Sequence, residues 1–429
     1  MTLAKAPWLV PLIPVWLCLF GPAASALPLP EHAARMGDDL RQKILPYWLR
    51  TTLDEKNGGY VLADDQKGRR VATEKQIVTQ ARLVWGFSHA HFKGFSDPKH
   101  DYLRAATHGY HFLMAHFQDR ENGGYFWKTD LRGGAINDRK LLYGQAFVIY
   151  ALVEFHRASR EKEPLQKALE LYDLLETRAH DSKNKGWGEH FRRDWTPILQ
   201  PENGSEVEVP GLKSANAHLH WMEALTELYE ATHEARVEKS LIEALELNVK
   251  YFYPKDPGKS AFHRQFDWSD VTNAASAGLS YGHNVEFAWL MIRAERVLGR
   301  RPSWNHFGAH LRHALRYGFD HDRGGLYERG VDDSPATKTD KVWWVQAEML
   351  AALTVALEHR PNIGQAEALA KLLHFVAAYQ TDPADGIWID TVAADGKPKN
   401  TAKANNWKAN YHDVRAMMKF VEAFGPRKK

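Results

Sequence analysis

Several stretches of the chain place apolar residues at i, i+3, i+4 and i+7. "KALELYDLLETRAH", "WMEALTELYEATHEARVEKSLIEALELNVKYFY", "WVQAEMLAALTVALEH" and "AEALAKLLHFVAAY" all carry this spacing. It predicts amphipathic helices. Between the helical stretches a glycine-aromatic punctuation recurs. It reads "NGGYVLADD" at Gly59, "NGGYFWKTD" at Gly124, "KGWGEHFRRDW" at Gly186, "RGGLYERGVDD" at Gly325 and "DGIWIDTVAADG" at Gly386. A weaker copy, "SAFHRQFDWSD", starts at Ser260 and lacks the glycines. The steps are roughly 60–75 residues, room for a helical hairpin and a loop when helices average about 11–12 residues. Six such hairpins predict an all-α fold, an (α/α)6 barrel with six inner helices, six outer helices and a pocket at one mouth. The aromatic loop segments suit short β-hairpins at that mouth. A helical solenoid is the alternative. No Pro/Gly/Ser-rich linker breaks the pattern, so residues 27–429 read as one domain.

The polar residues that interrupt apolar helices recur with the same step. "EKQIVTQARLVWGFSHA" carries Arg82 and Trp85, and "RKLLYGQAFVIYAL" carries Tyr143 and Gln145. "SANAHLHWMEALTELY" carries Asn216, His220 and Glu223. "GLSYGHNVEFAWLMIRA" carries His283 and Glu286. "DKVWWVQAEMLAAL" carries Trp343, Trp344, Gln346 and Glu348, and "NNWKANYHDVRAMMKF" carries Trp407, His412 and Arg415. Residues three apart, such as His283 and Glu286, share a helix face. Burying such a pair in a purely apolar core is costly. A lone buried histidine is more often a satisfied core residue than a catalyst. One polar set per repeat, always on the segment before an ordinary amphipathic helix, instead predicts a shared cavity.

Composition narrows the chemistry. The chain has 429 residues, 44% hydrophobic and 25% charged, with net charge +3. So small a charge, without a basic run beyond the tail Arg427-Lys428-Lys429, gives nucleic-acid binding no support. The 15 Trp and 22 His stand out. Tryptophan faces stack on sugars, although most of these residues serve as core. The first residues, "MTLAKAPWLVPLIPVWLCLFGPAASALPLP", have a positive Lys5, an apolar stretch from Trp8 to Phe20 and the small-residue site Ala24-Ser25-Ala26. They read as a signal peptide over 1–26, cleaved after Ala26, so the chain is expected to be exported to the periplasm or beyond. The one cysteine, Cys18, falls in this segment, which leaves no thiol or disulfide in the mature chain. No later stretch is apolar and long enough to span a bilayer. A metal centre is not expected: His218 and His220 alternate on a helix, and no His-Glu-x-x-His occurs.

Two histidines on opposite faces of an acidic carbon could remove one proton and return another, inverting a stereocentre. C2 of an open-chain reducing sugar is such a carbon. Its enediolate needs a fixed cation such as an arginine, and no organic cofactor or metal. In "QARLVWGFS", "LYGQAFVIYAL", "NAHLHWMEA", "SYGHNVEFAWL", "KVWWVQAEML" and "WKANYHDVR" the chain resembles the N-acylglucosamine 2-epimerase superfamily. The motifs are closest to its cellobiose 2-epimerases, and the resemblance runs from about Ala34 to Phe424. It implies an (α/α)6 barrel and reversible epimerisation at C2 of a reducing-end glucose or mannose unit. It implies His412 and His283 as the two acid/bases, and Arg82 on the oxyanion. His220 and Asn216 would bind the sugar near C1 to C3 and assist ring opening, while Glu286 and Glu348 orient the histidines. Trp344 and Trp407 would stack on sugar rings and Tyr143 would bind hydroxyls, with Glu223 and Glu348 placed among the substrate-binding groups. The family often has Asp after the fourth-motif histidine, where this chain has Asn284. A small carbohydrate is the expected partner, with the protein a monomer or dimer. An aldose–ketose isomerase, a glycoside hydrolase on a similar barrel and a non-catalytic sugar-binding protein are the competing readings.

Overall fold

The computed structural model describes residues 28–426 except 64, 205 and 272–277. The expected signal segment, 1–26, lies outside the described residues. The described chain is mostly helical. Its helices are α1 (Leu29–Asp39), α2 (Leu45–Thr52), α3 (Ile77–Phe92), α4 (Tyr102–Phe112), α5 (Leu142–Ser159), α6 (Glu163–Arg178) and α7 (Ala215–Thr232). There follow α8 (Ala235–Leu247), α9 (Tyr281–Val297), α10 (Trp304–His313), α11 (Trp343–His359), α12 (Ile363–Phe375) and α13 (His412–Phe424). None among the described residues is long and apolar enough to cross a membrane.

Two kinds of helix alternate. In α11 every residue from Val345 to Leu357 is buried, and α3, α5, α7 and α9 are nearly as enclosed. α8 instead buries Val237, Leu241, Ala244 and Leu245, one stripe at helical spacing. A helix apolar all round belongs inside, and a striped helix covers it. α3 packs on α5, α5 on α7, α7 on α9, α9 on α11 and α11 on α13. Each rests on a striped neighbour, α3 on α4 through α11 on α12, and α13 on α1. The segment before α13 then returns to α3. Gly86 is required there, because a Cβ would come 2.4 Å from the Asn410 carbonyl oxygen. The rings of Trp85 and Tyr411 meet beside it, 5.3 Å apart.

The glycine-aromatic segments are tight turns, each closed by a single antiparallel bridge. The bridged pairs are Leu53 with Tyr60, Gln118 with Tyr125, His180 with Trp187, Phe319 with Leu326 and Thr381 with Trp388. Gly58 and Gly59 have φ of +85° and +64°, a region that disfavours any side chain. The expected hairpins form in part. Lys128–Asp130 pairs locally with Ala135–Asn137, with Lys128 opposite Asn137. Most strands instead join successive repeats, as when Glu74–Gln76 pairs with Lys128–Asp130 and Lys140–Leu141 with His190–Phe191.

A buried lysine ties four of these turns to the inner helix that follows. Lys75 Nζ donates to Asp54 (2.9 Å), Lys140 to Asp119 (2.7 Å), Lys213 to Asp181 (2.9 Å) and Lys341 to Asp320 (2.7 Å). All four lysine side chains are fully buried, which this residue tolerates only when paired. Five residues on, Gln80, Gln145 and Gln346 each bond both the N–H and the carbonyl of an aromatic or leucine in the same turn. In the third repeat His218 takes this place and accepts from the Trp187 N–H. The fourth repeat departs from the pattern, with Leu279 at the lysine position and Asn284 at the glutamine position. The result is that α3, α5, α7 and α11 are each anchored at the N-terminal end.

Candidate active site

The positions of the lysine anchors, with Leu279 in the fourth repeat, put the inner helices in a common register. Seven residues past Lys75, Lys140, Lys213, Leu279, Lys341 and the buried Lys408 stand Arg82, Phe147, His220, Glu286, Glu348 and Arg415. Three or four residues past the same points stand Tyr143, Asn216, His283, Trp344, Tyr411 and His412. Ten past, they are Trp85, Tyr150, Glu223 and Trp289. These offsets lie on one helix face. One face per inner helix therefore carries nearly all the unusual residues, at matched heights.

Side-chain contacts join them into one set. Arg82 donates to the Trp407 carbonyl (2.5 Å) and to the Tyr143 hydroxyl (3.0 Å). Its guanidinium lies over the Phe147 and Tyr411 rings, and its Nε is buried without a partner. The Tyr143 ring meets the His220 ring edge-on at 5.2 Å. His220 Nδ1 is 2.8 Å from Glu223 Oε2. His412 Nδ1 is 2.6 Å from Glu348 Oε1, whose other oxygen accepts from Trp289 Nε1 at 2.8 Å. A carboxylate can only accept, so Nδ1 of each histidine is the donor and Nε2 is left as the acceptor.

His283 is held differently. Its backbone N–H is capped by Ser280 Oγ at 3.3 Å, which fixes the start of α9. Its ring lies 4.7 Å from the Trp344 ring, and the same tryptophan lies 5.9 Å from His412. His283 and His412 thus both neighbour one indole. No carboxylate contact holds the His283 ring among the described residues.

Burial sets the electrostatics. It holds His412 well below the usual imidazole range, with Arg82 and Arg415 pushing the same way. Burial, then His220, takes His283 down to about 3. Burial also lowers His220, against the opposing pull of Glu223. All three are neutral bases at pH 7. Glu286 is pushed well above the usual carboxylate range by burial and by Glu348, and its Oε2 is buried without a partner. Glu286, Glu348 and His412 offer ligand atoms within 4.8 Å of one another. The Arg415 guanidinium already sits on both carboxylates, at 2.9 and 2.8 Å. A metal cation there would face that fixed charge.

Of the residues expected from the sequence, Arg82, Tyr143, His220, Glu223, His283, Glu286, Trp344, Glu348, Trp407 and His412 fall in this set. Trp407 lies in the loop before α13 and is 36% exposed, with its ring 6.3 Å from Tyr143. Glu223 has both oxygens engaged, by His220, Tyr411 and Arg415. Asn216 is tied to Glu208 at 3.0 Å, beside the Glu208–His263 pair, rather than to the histidines. Asn284 occupies the latch position and is buried with its Nδ2 unpartnered, so the substitution lies off the histidine-bearing face. The sequence places Arg415 in the polar set that is expected to line the cavity, without a chemical role, and does not single out Tyr411 or Trp289. Their signal was the shared register with the lysines, which becomes visible once the anchors are aligned.

The family model of N-acylglucosamine 2-epimerase matches residues 58–416. A cellobiose 2-epimerase of Bacteroides fragilis is 30% identical over 396 residues, covering 90% of this chain and 97% of that protein. A D-mannose isomerase of Marinomonas mediterranea is 23% identical over 390 residues, covering 87% and 93%. The solved cellobiose 2-epimerase of Spirochaeta thermophila superposes with a TM-score of 0.83 at 29% identity, over 94% of this chain and 99% of that one.

Proposed function

The chain belongs to the N-acylglucosamine 2-epimerase family, and from that premise we propose a cofactor-independent sugar 2-epimerase. It interconverts glucose and mannose units at the reducing end of a cellobiose-type β-1,4 disaccharide, or acts on free mannose. The closed order of inner helices supports the (α/α)6 barrel as its frame, with residues 27–429 as a single exported domain.

The observation that carries this reading is that two neutral histidines, His283 and His412, share Trp344 as a neighbour, with ring centroids 4.7 and 5.9 Å from the indole. The open-chain sugar stacks on the indole. His412 or His283 takes the C2 proton from one face, and electrons move toward the C1 carbonyl oxygen. Arg82 stabilises the enediolate that forms. The other histidine returns a proton to the opposite face and C2 inverts. His220 and Asn216 serve ring opening and binding, Tyr143 and Trp407 hold the sugar, and Glu223, Glu286 and Glu348 act through the histidines.

A hydrolase needs two available carboxyl groups astride a glycosidic bond. Here Glu223 and Glu348 are buried and engaged by Arg415 and the histidines, which favours proton transfer at carbon. An aldose–ketose isomerase is the second reading, favoured by the likeness to the D-mannose isomerase. It shares the enediolate and differs in returning the proton to C1. The test is turnover by His283→Ala and His412→Ala. Each is expected to remain folded and lose turnover, and near-wild-type activity in either would end the two-base scheme.

A further inference from the structure

Arg415 is shared by three buried carboxylates. Its Nη1 donates to Glu223 Oε1, and its Nη2 donates to Glu286 Oε1 (2.9 Å) and Glu348 Oε1 (2.8 Å). Nη1 also reaches the Tyr411 hydroxyl, which itself donates to Glu223. Two of these carboxylates hold histidines: Glu223 holds His220 and Glu348 holds His412. The two pairs come from different repeats, on α7 and on α11 with α13. No direct hydrogen bond between the pairs occurs among the described residues. A guanidinium is planar, so its two Nη atoms fix the carboxylates in one plane and at one separation.

Behind Arg415 the inner helices open on a second cavity, of about 350 Å³. It is lined by the C-terminal halves of the same helices, with Trp85, Tyr150, Glu227, Trp289 and Arg293 among its walls. Arg415 is part of this lining, with its guanidinium 4.8 Å from the Trp289 ring and its Nε buried and unpartnered. The guanidinium therefore separates the histidine face from the rear cavity.

We propose that Arg415 is a positioning residue that fixes the tautomers of His220 and His412 through Glu223 and Glu348, and that the rear cavity admits a small planar cation to its place. The proposal rests on the epimerase reading for its kinetics and not for its spectroscopy. With the arginine gone, three carboxylates lose their common counter-charge, and one or more must take up a proton or turn away. A protonated or displaced carboxyl no longer compels Nδ1 to be the donor, so Nε2 is no longer reserved as the base.

The experiment is ¹⁵N NMR of the histidine rings in wild type, Arg415→Ala and Arg415→Lys, with kinetics on each. Wild type is expected to show Nδ1-protonated His220 and His412. Arg415→Ala is expected to show mixed tautomers and a kcat about 10²-fold lower at nearly unchanged KM. Guanidinium chloride at millimolar concentration is expected to restore at least tenfold of that loss, saturably. Arg415→Lys keeps a charge without the fork and is the variant to use if the alanine form does not fold; it is expected to show mixed tautomers and an intermediate kcat. Wild-type tautomers in a folded variant would overturn the positioning role, whatever the activity. Mixed tautomers without rescue by guanidinium would overturn the open rear cavity. Wild type that turns over neither cellobiose nor mannose would count against the function and leave the tautomer result to judge Arg415.

Discussion

Glu348 Oε1 lies 2.6 Å from His412 Nδ1, and both groups are buried. The contact joins the fifth inner helix to the first residue of the sixth. It makes Nδ1 the donor and points the basic Nε2 elsewhere. Glu348→Gln keeps the shape and can present an N–H where the carboxylate accepted. It is expected to lower kcat by about 10²-fold or more while thermal unfolding and KM change little. Steady-state kinetics on the folded variant checks this.

Arg82 is the cation on the other side of the histidine set, fixed by the Trp407 carbonyl and the Tyr143 hydroxyl. If it carries the enediolate charge, Arg82→Lys should lose about 10²–10³-fold in kcat. Tyr143→Phe removes one of its two anchors and should cost much less, about tenfold. Equal losses in the two variants would assign Arg82 a role in binding rather than in the charged intermediate.

Much of this arrangement was legible from sequence. The glycine-aromatic punctuation located the loops, and helical spacing located the helices that carry His220, His283 and Glu348. Long-range pairing was not legible. Nothing local says that Glu348 serves His412, 64 residues away, while Glu223 serves its own neighbour His220. The place of Trp407 in the repeated polar sets predicts a helix there, yet the helix starts at His412. Asn405 and Lys408 close a turn there instead, with the Asn405 side chain accepting from the Trp407 and Lys408 N–H groups. The lysine anchors stood in plain view five residues before each latch glutamine. Composition alone places a lysine next to an apolar helix at the surface, and only the long-range aspartate partner shows otherwise.

Those anchors carry a stability prediction. Lys341→Met leaves Asp320 and the Gly324 carbonyl without their buried donor. The loss should be about 3–5 kcal/mol in urea unfolding. Leu279→Met, at the equivalent place in the repeat without an anchor, should cost less than about 1.5 kcal/mol.

Protonation should give stability a maximum near neutrality. Burial lowers His218, His283 and His310 to about 3 and His190 to about 4. Below about pH 6.5 the unfolded chain therefore binds more protons than the folded one, and stability falls as pH falls. Glu189 works in the opposite sense, pushed up to about 8 by burial and Glu208, and Glu286 is raised as well. Their contribution is lost as pH rises from about 4.5 toward 8. Among the described residues nine histidines are lowered and four carboxyls raised, so the histidines outweigh the carboxyls on the acid side and the melting temperature should peak between about pH 6.5 and 7. Thermal melts from pH 5 to 8 check the position of the peak, and Glu189→Gln should flatten its alkaline side.

Inversion at C2 through an enediolate requires that a proton leave one face and another return to the opposite face. The exchange is followed most directly by proton NMR of the protein with cellobiose, and separately with mannose, in deuterated water. The expected result is a new reducing-end epimer carrying deuterium at C2. A ketose product would move the activity to isomerisation. Cleavage to glucose, or an epimer that keeps its original C2 proton, would contradict two-histidine exchange through an enediolate.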